Sequence, residues 1–334
     1  MAKNKNLNAA ARAKKDEFYT QLEDIQRELN HEEYREFFRD KTVLCNCDDP
    51  YESEFFKYFA LNFNALGLKK LIVTCYAGSP VVQTELNFDT GSADFVEHRN
   101  KFAYKIVIPE LRDWNGDGRE DLDDIREYIL THGGCWERLK GNGDFRSPEC
   151  IEILKEADVV VTNPPFSLFR EYVAQLMDYR KSFVIIGPIN AVTYKGIFPL
   201  IKENKIWAGY GMGRKIAGFM VPKYYELYGT ETGIDADGKK IVATNQCLWY
   251  TNIPLKKYRE ELLLTFEYSP EKYPRYDNYD AIEVSKTAQI PCDYFGVMGV
   301  PITFLDKYNP DQFEILGKSD DLAEPVTIDG NYKK

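Results

Sequence analysis

Four β-branched residues in a row, Val159-Val160-Val161-Thr162, run directly into Asn163-Pro164-Pro165-Phe166, and a helical spacing of apolar residues starts just beyond. A run this short and this apolar suits a strand buried on both faces. The two prolines fix the backbone and remove two N–H donors, so neither a strand nor a helix can continue through them. The segment therefore has to be a strand, a rigid turn and a helix. The same alternation surrounds it: a helix over Ile151 to Glu156, a strand over Asp158 to Thr162, a helix over Leu168 to Tyr179, a strand over Phe183 to Gly187 and a helix over Lys195 to Glu203. Upstream, short strands at Thr42 to Cys45 and Leu71 to Thr74 flank a helix that Ser53 and Glu54 open and Gly67 closes. Alternation of this kind predicts a mainly parallel sheet covered by helices on both faces.

The flanks differ. Glu23 to Phe38 has mostly helical spacing, whereas from Ala77 to about Gly141 the periodicity weakens around a strand at Phe102 to Ile108 and a helix at Leu122 to Leu130. Beyond Ile206 the chain turns to strands, aromatic residues and turns such as Asp237-Gly238 and Asp277-Asn278. The expected organisation is a basic tail over 1–15, a domain over 16–205 with an insertion at about 77–141, and an appended region over 206–334. With 334 residues, 44% of them hydrophobic, the chain can bury one large core, or one core with a smaller lobe. It has no run of 18 apolar residues and no apolar leader, so a cytoplasmic location and no membrane partner are expected. Seven cysteines without a CxxC pair read as reduced thiols, and three histidines without metal-ligand spacing make zinc unexpected.

A formal charge of −10 excludes a protein that coats nucleic acid through its overall charge. Contact with phosphates would need a local patch. The tail, with Lys3, Lys5, Arg12, Lys14 and Lys15, is one candidate, and its alternative reading is a solvated segment. The late lysines and arginines, Arg214, Lys215, Lys223, Lys239, Lys240, Lys256, Lys257, Arg259 and Arg275, interleave with aromatic residues and form the other.

In open α/β sheets, ligands bind beyond the carboxyl ends of the strands, where the Asn163 turn falls. The side-chain oxygen of Asn163 and the carbonyl of Pro164 suit a planar amino group with a delocalised lone pair, as in adenine. Accepting both of its hydrogens favours the pyramidal nitrogen of a transition state. Pro165 stiffens the turn, and Phe166 offers a face for stacking an extruded base. The alternative is an ordinary strand-to-helix turn. Separately, Asp113, Asn115, Asp117, Arg119 (through its carbonyl), Asp121 and Asp124 follow the ligand spacing of an EF-hand calcium loop, with Gly118 at its sixth position. That stretch reads either as a structural calcium loop or as a solvated acidic turn.

The chain also resembles the EcoRI-type adenine-specific DNA methyltransferase family. The likeness runs through Lys15-Asp16-Glu17-Phe18-Tyr19-Thr20, Cys45-Asn46-Cys47-Asp48-Asp49-Pro50, Phe55-Phe56-Lys57-Tyr58-Phe59-Ala60, Gly143-Asp144-Phe145-Arg146-Ser147, Asn163 to Tyr172, Tyr276 to Ile282 and Gly296 to Phe304, and covers most of residues 14 to 315. It implies a Rossmann-like class I S-adenosylmethionine-dependent methyltransferase sheet with a C-terminal mixed α/β target-recognition region. It further implies direct transfer of the methyl group to adenine N6 without a covalent enzyme intermediate. Tyr19 and Thr20 resemble the segment that closes over the methionine part of the cofactor. Asp48, Asp49 and Pro50 resemble an acidic-Pro element near the cofactor's amino group, and Asp144 with Phe145 the pair that holds its adenine. By themselves, residues 16–20 read as a helix entry, the aspartate pair as a helix cap and Asp144 as a turn residue. Two departures stand out: Tyr51-Glu52-Ser53 replaces the usual glycine cluster, and Thr74-Cys75-Tyr76 lacks the acidic ribose ligand. The implied partners are double-stranded DNA and a cognate restriction endonuclease, with a monomer as the expected state. Methylation of a protein glutamine or of RNA, and an inactive DNA-binding or anti-restriction role, stay open.

Overall fold

In a computed structural model, residues 19–46, 53–77, 102–131, 136–210, 219–221, 232–234, 240–242, 247–322, 324–329 and 331–332 are described. Contacts divide them into two units, one with residues up to 191 and 209–253, the other with 192–208 and the chain from 254 onward. The first unit holds β1 (Tyr19–Thr20), α1 (Leu22–Leu29), α2 (Glu32–Phe38), β2 (Thr42–Cys45), α3 (Glu54–Leu61), α4 (Phe63–Leu66) and β3 (Lys70–Thr74). There follow β4 (Tyr104–Ile108), α5 (Leu122–Thr131), β5 (Trp136–Arg138), α6 (Pro148–Glu156), β6 (Val159–Thr162), α7 (Phe169–Asp178) and β7 (Ser182–Pro188). Later come β8 (Phe219–Val221), β9 (Thr232–Ile234), β10 (Lys240–Val242) and β11 (Cys247–Thr251).

The sheet of this unit runs in the order β5-β4-β3-β2-β6-β7-β11. Its centre is parallel, from β3 through β2 and β6 to β7. Antiparallel strands continue it on either side, β4 and β5 beyond β3, and β11 beyond β7. Every residue of β2, β6 and β11 is buried. Since neighbouring residues of a strand point to opposite faces, both faces of the sheet centre are covered there, as the alternation predicted. Along β4 burial alternates, so the sheet opens on one face toward that edge. The chain passes from β2 to β3 on one side and returns to β6 on the other, which puts a topological switch point between β2 and β6. The two strands start in step, for the Asp158 carboxylate accepts from the Thr42 N–H at 2.7 Å and the Asp158 N–H donates to the Thr42 carbonyl at 2.9 Å.

Local signals placed several ends correctly. Ser53 caps α3 by accepting from the Phe56 N–H at 3.3 Å, and Gly67 closes α4 at φ +62°. Other expectations shift. The single helix over Glu23 to Phe38 is two helices, broken at Asn30 and His31. The break is tertiary in origin: buried Glu28 accepts from the Tyr34 hydroxyl (2.9 Å) and the Tyr210 N–H (2.8 Å), and His31 stacks on the Tyr210 ring with centroids 3.6 Å apart. Residues 16–18 lie outside the described residues, and Tyr19–Thr20 is a strand paired antiparallel with β8 rather than a helix entry. Strands β4 and β5, from the segment expected as an insertion, extend the sheet itself. Nor does the contact boundary coincide with residue 205, since 209–253 return to the first unit and supply β11.

The second unit contains α8 (Phe198–Lys202), a short strand at Trp207–Ala208, β12 (Ile282–Glu283), β13 (Met298–Gly299), β14 (Thr327–Ile328) and β15 (Asn331–Tyr332). Side chains replace long ladders there. The Gln312 amide accepts from the Leu262 N–H (2.8 Å) and donates to the Leu262 carbonyl (2.9 Å), serving an extended segment as a neighbouring strand would. Lys257 meets Asp306 at 2.9 Å with both side chains largely covered, so this lysine, one of the candidate phosphate contacts, is engaged within the unit. Among the described residues no helix is long and apolar enough to cross a membrane.

Candidate active site

Thr162 and Asn163 end β6, and Asn46 ends β2 one strand away. The Thr162 hydroxyl donates to the Asn46 carbonyl, and the Tyr172 hydroxyl of α7 donates to the Asn46 side-chain oxygen. All four residues are buried. Asn46 thus ties the carboxyl ends of the two switch-point strands to the helix that follows the proline turn. Sequence patterns gave no reason to single it out. The only signal was a polar residue closing an apolar strand at the same level as Thr162.

The turn itself is well defined. Asn163 is 7% exposed and Pro164 is buried, while Pro165 and Phe166 are half-buried. Pro165 caps a short 3-10 turn, Phe166–Leu168, and its carbonyl accepts from the Leu168 N–H at 3.0 Å. The Pro165 carbonyl is thus engaged within the turn.

Asp144 and Phe145 reach the same neighbourhood from the other side of the switch. The Phe145 ring packs edge-on against Tyr172, centroids 5.0 Å apart, and its carbonyl accepts from the Gln175 amide at 3.0 Å. Gly143, at φ +79°, lets the loop lie against the end of β3, where a Cβ would come within 2.2 Å of the Cys75 carbonyl oxygen. The Asn142 carbonyl accepts from the Ala77 N–H at 2.8 Å and completes the seam. Asp144 is held by Arg146 through two side-chain bonds, 2.9 and 2.6 Å, and Arg146 also reaches Glu171 at 3.2 Å. The side-chain bonds from Arg146 keep the Asp144 carboxyl below its ordinary range. It therefore stays ionised until the pH falls through that lowered value; Oδ1 already accepts from both the N–H and the side chain of Arg146, so Oδ2 is the oxygen with a lone pair for a further donor.

Thr20 contributes a different observation. It is 3% exposed, and its hydroxyl has no hydrogen-bond partner among the described residues, although a buried hydroxyl left so costs about 1–3 kcal/mol. Strand β1 packs on α3, the helix that follows Asp48, Asp49 and Pro50 in the chain. An unsatisfied hydroxyl at this place fits a polar ligand. Thr20→Val, which keeps the shape and removes the hydroxyl, should leave the melting temperature of the free protein unchanged or raised and weaken S-adenosylmethionine binding several-fold in calorimetry. Equal affinity for the two proteins would remove Thr20 from the site. Of Tyr19 only the backbone is described, and Asp48, Asp49 and Pro50 lie outside the described residues.

In the acidic loop the carboxylates face backbone N–H groups, and Asp124 is buried. Asp113 accepts from the N–H groups of Gly116, Asp117 and Gly118 at 2.7–3.0 Å, and Asp124 from those of Trp114, Asn115 and Asp121 at 2.8–3.1 Å. Asn115, Asp117 and Asp121 likewise accept from N–H groups two residues on. No group of three or more His, Cys, Asp or Glu among the described residues is arranged to hold a metal. The carboxylates close turns, and the calcium reading is not supported.

Comparison with known proteins shows the family. The family model described as "Adenine-specific methyltransferase EcoRI" matches residues 6–333. The chain is 52% identical over 317 residues to "Type II methyltransferase M.EcoRI" of Escherichia coli, covering 94% of this chain and 89% of that protein. It is 38% identical over 331 residues to "Type II methyltransferase M.MpnI" of Mycoplasma pneumoniae, covering 97% and 88%. To "Type II methyltransferase M.MgeORF184P" of Mycoplasma genitalium it is 37% identical over 329 residues, covering 97% and 89%. No solved structure gives a match.

Proposed function

Since this chain belongs to the adenine-specific EcoRI methyltransferase family, we propose that the turn Asn163-Pro164-Pro165-Phe166 receives an adenine extruded from duplex DNA and holds its N6 for methylation. The reaction is that of an adenine-specific DNA methyltransferase on a class I fold. S-adenosylmethionine supplies an electrophilic methyl group; its carbon–sulfur bond breaks as the nitrogen–carbon bond forms, leaving the thioether.

The chain's own residues do the rest. Asn163, through its side-chain oxygen, and Pro164, through its carbonyl, accept the two N6 hydrogens and draw the nitrogen toward a pyramidal geometry. Both acceptors are fixed before the base arrives, Asn163 by the end of β6 and Pro164 by its ring, so little reorganisation remains at the moment of transfer. Phe166 provides the stacking face. Asp144 and Phe145, pinned by Gly143 and Tyr172, would hold the adenine of the cofactor, with Tyr19, Thr20, Asp48, Asp49 and Pro50 around its amino-acid portion. The methylated nitrogen is strongly acidic and loses its proton to water without a dedicated base.

The observation that carries this reading is the joining of Asn46, Thr162 and Tyr172, which places the proline turn and the Asp144 loop around one switch point. The names of the relatives support a place in a type II restriction-modification system, in which an endonuclease of the same recognition sequence would be the functional partner. The region after residue 205 is the candidate for reading that sequence. Incubating the protein with radiolabelled S-adenosylmethionine and duplex DNA, RNA or protein should place the label in DNA as N6-methyladenine. Label in RNA or protein alone would overturn the proposal.

A further inference from the structure

Phe295 is 95% exposed in the second unit. A single apolar side chain at the surface is ordinary. A whole phenyl ring held out on a braced turn is less so. On the incoming side, the Cys292 N–H donates to the Phe266 carbonyl and the Asp293 carboxylate accepts from the Tyr268 N–H, each at 2.8 Å. On the outgoing side, the Val297 carbonyl accepts from the Ile282 N–H at 3.1 Å, where β12 and β13 pair. Between these anchors Tyr294 folds inward. Its ring lies 4.8 Å from that of Tyr268, and a Cβ at Gly296 would come within 2.5 Å of its hydroxyl. Tyr294 also shares a hydrogen bond with Arg275, whose side chain is 57% exposed and ion-paired with Asp280 at 3.2 Å. Turned away from this packed side, Phe295 is left with no role in the fold.

We propose that Phe295 is a wedge that enters between base pairs of duplex DNA. The inference rests on the DNA reading above. Apolar side chains inserted at a base step unstack it and lower the cost of deforming the duplex, which an enzyme that extrudes its target base requires. A wedge works only if it does not fold back, and the anchors on both sides supply that stiffness.

The test uses full-length protein and a labelled duplex bearing the sequence that the wild type methylates. Phe295→Ala should weaken duplex binding roughly 5- to 100-fold, the range seen when an aromatic stacking face is lost. Its melting temperature and S-adenosylmethionine affinity should stay at wild-type values, and Phe295→Trp should restore DNA binding. Phe295→Ala binding the duplex as tightly as wild type would overturn the inference while leaving the methyltransferase reading intact. A wild type that neither binds nor methylates DNA would overturn both.

Discussion

Replacing Asn163 with alanine is expected to lower the rate of methyl transfer by about 10²–10³-fold, the usual cost of losing one preorganised acceptor or donor at a reacting centre. The size of the effect follows from position. Asn163 is almost fully buried at the end of β6, where its amide works in a region largely without water. The variant loses an interaction that matters most when N6 becomes pyramidal, so single-turnover rate and kcat/KM should fall together. Affinity for S-adenosylmethionine should change little, because the cofactor's adenine is assigned to the Asp144 loop. Asn163→Asp offers a sharper comparison, since it keeps an acceptor oxygen in place while adding a buried charge. Near-normal turnover by the alanine variant would refute the assignment of the turn.

Gly143→Ala should produce the other large effect, through the backbone. At φ +79° an alanine is strained by about 1–3 kcal/mol before any contact is considered. Its methyl group would also sit 2.2 Å from the Cys75 carbonyl oxygen and 2.9 Å from the Ala103 Cβ. Backbone at the end of β3 cannot yield as a flexible side chain could, so the loop has to lift. Lifting it moves Asp144 and Phe145 together and opens the Phe145–Tyr172 contact. We expect a melting temperature several degrees lower and S-adenosylmethionine affinity reduced at least tenfold, measured by calorimetry. Arg146→Ala distinguishes the two consequences: it releases the Asp144 carboxylate without forcing the backbone, so it should weaken binding with a smaller loss of stability. Wild-type affinity in Gly143→Ala would detach this loop from the cofactor.

The Asn163–Phe166 turn was legible because its constraints are local. Four β-branched residues, two prolines and a helical spacing determine strand, turn and helix without reference to the rest of the chain. Ser53 as a cap and Gly67 as a stop belong to the same class, each satisfying helix-end groups within a few residues. The acidic loop marks the limit of this kind of reading. Its spacing fits both a cation site and a set of turns, and the choice depends on whether the carboxylates face one another or the N–H groups beside them.

By itself, then, the sequence determined the α/β alternation, the Asn163–Phe166 turn and, through its likeness to a family, the class of reaction. Only the tertiary structure decided that Asn46 and Tyr172 are joined beside the proline turn, that Gln312 stands in for a strand, and that Thr20 is a buried hydroxyl with no partner among the described residues. The physical reason is separation along the chain. Asn46 and Tyr172 are 126 positions apart, and their bond exists only because parallel pairing of β2 with β6 brings the two strand ends level. Register between distant strands depends on the whole core rather than on the residues it brings together.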